Sequence, residues 1–333
     1  MTIENNRRSA IKKLKLLTFN SKTTVDSYRE KLEEEFKTMF LPNKVECTEY
    51  KYGNIKCDVL APEIYSSNRI LIYIHGGCFV GGSRASYRNF CASIASKTFS
   101  RVVIPEYRLA PAYPCPAAIE DIQNVFRAVY TEEQVTCSLN STPEHTLEPE
   151  IIIAADGSAA SLACSLLFNL KDKYRAGIKN VILFSPWLDL SPSSRIFSAK
   201  KSSDEVMSAD VLKRSCTEYT FSINTTSPTV SPLLATDEQL VNFPPVFIQM
   251  GQKEILLEDA KAFAERLTNA GNTCILDVWP KMMYMFQMAD EYLHESHLAL
   301  DKIGKFITDQ NETSEGVQFV NQPKLEFSLR SEA

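Results

Sequence analysis

The feature that most constrains this chain is a series of short, β-branched apolar runs, each followed by a turn and then a helical pattern. The runs are ILIYIHGG (70–77), RVVIPEYR (101–108), IIIAA (151–155), NVILFSPW (180–187), PPVFIQMG (244–251) and CILDVWP (274–280). Each is too short for a buried helix and carries no polar alternation, as expected of strands covered on both faces. Between them the spacing predicts helices from about Pro116 to Tyr130, over SAASLACSLLFNL (158–170) and over DAKAFAERLTNAG (259–271). Alternation of this kind implies an α/β fold, a mostly parallel sheet with helices on both faces.

Residues 7–40 read as helical and outside that alternation: Ile11, Leu14, Leu17 and Phe19 make one apolar face, and Tyr28, Leu32, Phe36 and Phe40 recur at spacing four. Residues 195–235 break the alternation as well. The expected organisation is an N-terminal helical cap over 1–45, a core domain over 46–308 with a cap insertion at about 195–235, and a polar tail over 309–333, expected to be disordered. The cluster Arg7, Arg8, Lys12, Lys13 and Lys15 is first a solvated helix face. Its alternative use is peripheral contact with an anionic membrane through residues 7–19.

Composition narrows the function. The 333 residues carry a net charge of −5, which argues against nucleic acid as a partner. No run approaches the roughly 20 apolar residues of a transmembrane segment. The N-terminus lacks the apolar core and cleavage site of a secretory signal. Nine cysteines and four histidines show no metal-ligand spacing, so no metal and no cofactor are expected, and reduced thiols fit a cytoplasmic protein. The N-x-[ST] triplets at Asn140, Asn224 and Asn311 are then ordinary surface residues.

The motifs resemble one family. His75-Gly76-Gly77-Cys78-Phe79 looks like the HGGG oxyanion motif of the hormone-sensitive lipase family of α/β-hydrolases. Glu106-Tyr107-Arg108-Leu109-Ala110-Pro111, with Pro114, Pro116, Ala117, Ala118 and Asp121, resembles its DYRLAP segment, and Ser185-Pro186-Trp187-Leu188-Asp189 and Ser231-Pro232-Leu233 match further blocks. The resemblance implies an α/β-hydrolase fold with a nucleophile elbow, an acid and a histidine on successive loops. His75, Gly76, Gly77, Cys78 and the backbone of Ser158 stand at its oxyanion and pocket positions.

At the triad the chain departs from the family. The family's G-D-S-A-G-G-x-L-A aligns without gaps to Ala155-Asp156-Gly157-Ser158-Ala159-Ala160-Ser161-Leu162-Ala163, which puts Gly157 on the nucleophile position. Ser158 is the rival nucleophile, but it requires a one-residue slip and places Asp156 and Ala160 where the tight turn wants glycines. Glu254, in Gly251-Gln252-Lys253-Glu254-Ile255-Leu256, stands at the acid position. Val278-Trp279-Pro280-Lys281-Met282-Met283-Tyr284-Met285-Phe286-Gln287 resembles V-W-P-G-M-x-H-x-F-Q, with Tyr284 where the histidine belongs. A phenol with a pKa near 10 is a poor base at neutral pH. His145, His294 and His297 fall outside the required loop, and Cys78 has no histidine placed to activate it.

The expected function is that of a catalytically impaired hydrolase fold, a pseudo-esterase that binds a small hydrophobic ligand or a protein partner. The alternative is a residual carboxylesterase acting on short acyl or steryl esters through Ser158.

Overall fold

A computed structural model describes residues 3–20, 22–37, 41–42, 44–198, 203–309 and 319–321. Ten strands are found among these residues: β1 (Val45–Tyr52), β2 (Ile55–Pro62), β3 (Ile64–Ser66), β4 (Arg69–Ile74), β5 (Arg101–Pro105), β6 (Glu150–Asp156), β7 (Ile178–Phe184), β8 (Val246–Gly251), β9 (Cys274–Trp279) and β10 (Phe319–Asn321). All but β3 and β10 form one sheet in the order β1-β2-β5-β4-β6-β7-β8-β9. From β5 to β9 neighbouring strands are parallel, and β1 and β2 add an antiparallel edge.

The helices are α1 (Ile3–Leu17), α2 (Val25–Phe36), α3 (Arg84–Thr98), α4 (Ala117–Asn140), α5 (Ala159–Asn169), α6 (Asp172–Arg175), α7 (Arg195–Ser198), α8 (Ala209–Tyr219), α9 (Asp237–Leu240), α10 (Leu257–Asn269) and α11 (His294–Asp309). Helices α3 and α11 pack together on one side of the sheet, and α4, α5 and α10 cover the other. With both faces covered, the central strands are shielded from water, and every residue of β4 and β8 is buried. None of the described helices is long and apolar enough to cross a membrane.

The structure corrects the sequence reading in several places. The helical stretch read over 7–40 consists of α1 and α2 with a turn between them. Thr24 caps α2 by accepting from the Ser27 N–H at 3.1 Å, and the chain between the helices turns Phe19 into the core. Phe40 lies outside the described residues. Helix α4 runs ten residues past Tyr130. The β1–β2 hairpin and α3 had no place in the reading: β1 is mostly exposed, and α3 has only a weak apolar stripe. Most of the polar tail is outside the described residues, while Phe319–Asn321 pair with β3.

The sheet order positions the site. The chain leaves β4 toward β5 on one side, and β6 takes the other side, so the connections diverge above the carboxyl ends of β4 and β6. A crevice forms at such a divergence. The N-terminal helices and the 195–235 segment meet above it. Arg214 of α8 donates to the Thr23 carbonyl at 2.6 Å and lies over the Phe19 ring at 4.6 Å. The Tyr219 ring stacks on Phe79 at 3.7 Å.

Candidate functional site

Four loops bring the residues singled out from the sequence to the carboxyl edge of the sheet. His75 to Cys78 follow β4, Gly157 and Ser158 follow β6, Glu254 follows β8 and Tyr284 follows β9.

The oxyanion-type loop is held by a buried carboxylate. Asp156 accepts from the Gly76 N–H at 2.7 Å and from the Tyr73 and Tyr87 hydroxyls at 2.9 Å each. Any side chain on Gly76 would overlap that carboxylate, so the close approach requires glycine. Burial pushes the Asp156 carboxyl up to about 6 against those hydrogen bonds. Gly77, at φ 121°, turns the loop back so that Val80 and Gly81 both donate to its carbonyl. The N–H groups of Gly77 and Cys78 bond to no acceptor among the described residues.

His75 belongs to this loop. Its ring stacks on Tyr107 at 4.4 Å and on Tyr87 at 5.4 Å, with Nδ1 2.9 Å from the Gly76 carbonyl. Burial lowers its pKa, so it stays neutral as a packing element. The Cys78 thiol is buried beside Ser215 and Phe19, and burial raises it to about 11, far from the thiolate a nucleophile needs.

The strand-to-helix bend has Gly157 at its apex, with φ 50°. Its N–H donates to the Phe184 carbonyl at 3.0 Å, and its own carbonyl accepts from Trp187 at 2.9 Å. Ser158 has ordinary helical angles (φ −65°, ψ −28°) and leads into α5. Its hydroxyl accepts from the Phe79 N–H at 3.1 Å, tying α5 to the oxyanion-type loop, and no histidine is among its hydrogen-bond partners. The residue in the strained conformation is therefore the one without a side chain.

Tyr284 fills the space above it. A Cβ placed on Gly157 would overlap the Tyr284 hydroxyl oxygen. Tyr284, Met285 and Met288 from the β9 side, Leu14 and Leu17 from α1, and Met207 leave a space of only about 20 Å³ beside Gly77 and Asp156. That is room for about one water molecule. Burial and the nearby Asp156 charge hold the Tyr284 phenol well above its usual range, so it stays protonated.

Glu254 is buried below this loop. One carboxyl oxygen accepts from the Ser185 hydroxyl at 2.9 Å and from the Gly251 N–H at 2.5 Å, while the other is buried with no partner among the described residues. Burial, and then the neighbouring Asp204, raise its pKa well above the carboxylate range. Ser185, at φ 45°, also accepts from the Met285 N–H at 3.1 Å, so it links the Glu254 loop to the Tyr284 loop.

Sequence reasoning missed two participants. Ser185 was read only as part of a family block, and Asp204 was not singled out. Asp204 accepts from the N–H groups of Val206, Met207 and Ile255 at 2.9–3.1 Å, pinning the 195–235 segment to the Glu254 loop. A lone Asp in a polar segment offers no signal of that role.

Comparisons with known proteins agree with this architecture. Residues 71–288 match a family described as alpha/beta hydrolase fold. A protein named Esterase from Acinetobacter venetianus is 32% identical over 245 residues, covering 73% of this chain and 76% of that protein. An acetyl-hydrolase from Streptomyces hygroscopicus is 27% identical over 75% of this chain and 78% of that protein. The crystal structure of an esterase from the bacterial hormone-sensitive lipase family superposes with a TM-score of 0.78 at 25% identity, covering 93% of this chain and 99% of that one.

Proposed function

The chain belongs to the α/β-hydrolase family, of the hormone-sensitive lipase kind, and we propose that it keeps the family's architecture while lacking its hydrolytic triad. Its role is then binding, of a small hydrophobic ligand or of a protein partner, rather than turnover of an acyl ester. The observation that carries this reading is the Gly157–Tyr284 contact. The apex residue carries no side-chain oxygen, and a protonated phenol fills the space a nucleophile and its base would share.

The chemistry supports it. Acyl transfer needs a nucleophile within hydrogen-bond reach of a base, and the base held in place by a third group. Glu254 spends its bonded oxygen on Ser185 and Gly251. The free N–H groups of Gly77 and Cys78 would still stabilise an oxyanion, but in the serine-protease case that remnant supplies only about 10³–10⁴ over water. Hydrolysis through Ser158 is the weaker reading, because its hydroxyl faces the Phe79 backbone.

Hydrolysis of a short-chain nitrophenyl ester tests the proposal. The expected result is no difference between the parent chain and Ser158→Ala, and measurable turnover in the double variant Gly157→Ser with Tyr284→His. In that variant the shorter imidazole frees the space above position 157 and gives Glu254 a partner. Robust activity in the parent chain that disappears in Ser158→Ala would reverse the reading.

A further inference from the structure

Helix α1 turns two faces to the protein. Ala10 and Leu14 are buried in the core. Positions 12, 13, 16 and 17, spaced as one side of a helix, instead line a groove of about 600 Å³ shared with α2 and with the turn before α11. This lies within the roughly 300–1,000 Å³ typical of small-molecule sites.

Leu16, Leu17, Phe36 and Tyr292 form the apolar wall of the groove. Leu16 is half-buried and lies outside the packed core. Leu17 has a second role, because it also lines the small space under Tyr284. The groove therefore lies against the outer wall of the filled pocket.

The polar lining is divided in a way that selects a ligand. Lys13 and Glu291 are closed on each other at 3.0 Å. Lys12 and Glu35 line the same groove, are exposed, and carry no ion pair among the described residues, with each other or with any neighbour. One unpaired cation and one unpaired anion beside an apolar wall match a molecule with an apolar chain and both charges at its head. A simple fatty acid would satisfy Lys12 and be repelled by Glu35.

We propose that this groove binds a single-chain zwitterionic amphiphile, with the chain along Leu16, Leu17, Phe36 and Tyr292, the head-group anion on Lys12 and its cation on Glu35. The site lies outside the pocket read above as catalytically silent, and its readout is binding alone, so it stands or falls separately from the loss of hydrolysis.

The test is calorimetric titration of the full-length chain with myristoyl lysophosphatidylcholine below its micelle-forming concentration. Saturable binding of one molecule per chain is expected. Lys12→Gln and Glu35→Gln, both exposed and harmless to folding, should each weaken it about threefold or more, the scale of one exposed ion pair. Leu16→Asp should remove it, with an unchanged melting temperature showing that the helix remains. Myristate should bind more weakly than the zwitterion. Absence of saturable binding, indifference to both charge variants, or myristate binding as tightly as the zwitterion would each overturn the proposal.

Discussion

The hydroxyl oxygen of Tyr284 occupies the space that a Cβ on Gly157 would need. Gly157 and Tyr284, proposed above to stand at the nucleophile and histidine positions, are thus one packing unit. A side chain at 157 would meet the phenol and would also take up φ 50°, a left-handed conformation that side chains adopt at a cost.

The first prediction follows from that contact. Gly157→Ala or Gly157→Ser alone should lose about 2–4 kcal/mol, from overpacking plus backbone strain. Tyr284→Phe removes only the overlapping oxygen, so Gly157→Ala combined with it should be less damaging than the sum of the single changes, with a coupling of about 1–2 kcal/mol. Denaturant unfolding of the four chains gives the cycle. Strict additivity would show that the contact is not what excludes a side chain at 157.

This coupling explains why the site was only partly legible in the sequence. The buried strands announced themselves through apolar runs, and the resemblance of the segments around His75-Gly76-Gly77, Glu254 and Tyr284 to family motifs implied that they share one end of the sheet. Spacing carries no information about which side chain fills which void. Gly157 and Tyr284 therefore read as two separate losses, and their contact emerges only in three dimensions. The break between α1 and α2 was hidden for a related reason: apolar residues recur at helical spacing on both sides of it, while Phe19, read as part of one helix face, is what the intervening turn buries. Strand β1 escaped because at an exposed edge the burial pattern that identifies a strand is absent.

A second prediction concerns pH. Asp259, at the start of α10, is 4% exposed, and one of its carboxyl oxygens has no hydrogen-bond partner among the described residues. Burial, and then the Asp189 charge, push it up to about 7, against the opposing effects of Arg195 and Ser194. The folded chain therefore binds this proton more tightly than the unfolded one, and the sign follows: stability from this group is present at low pH and is lost as pH rises from about 4 to about 7. Asp259→Asn, a neutral stand-in for the protonated acid, should gain stability over the parent across that window, reaching roughly 1–3 kcal/mol at pH 8. Melting curves at pH 5 and pH 8 check it. A variant equally stabilised at both, or destabilised at pH 8, would contradict the assignment.

A third prediction concerns how the N-terminal helices are held. Glu205 pairs with Arg7 of α1 and, at 3.7 Å, with Lys253 of the Glu254 loop, and Arg7 also donates to the Lys281 carbonyl at 3.0 Å. These residues are partly exposed, so Arg7→Ala should cost only about 0.5–1 kcal/mol, less at high salt. The effect should appear first in α1, as faster protease cleavage within residues 3–17 at low salt. An Arg7→Ala chain cut no faster than its parent would mean that packing of Ala10 and Leu14 alone holds the helix.

Glu254 offers the sharpest separation between a structural acid and a catalytic one. Burial, and then Asp204, raise its pKa well above the carboxylate range and so favour the neutral acid, with one oxygen bonded to Ser185 and Gly251 and the other without a partner among the described residues. A glutamine oxygen accepts the Ser185 and Gly251 donors equally well, so Glu254→Gln in the parent chain should change stability by less than about 1 kcal/mol. In the Gly157→Ser, Tyr284→His background the same substitution has a different meaning. There an imidazole beside Glu254 must become imidazolium as the nucleophile attacks, and only an ionised carboxylate stabilises that charge. Glu254→Gln should then lower the recovered ester turnover by about 10²-fold or more while leaving unfolding unchanged. If instead it destabilises the parent chain by more than about 2 kcal/mol, Glu254 is ionised in the native protein, and an unseen cation, rather than a proton, balances it.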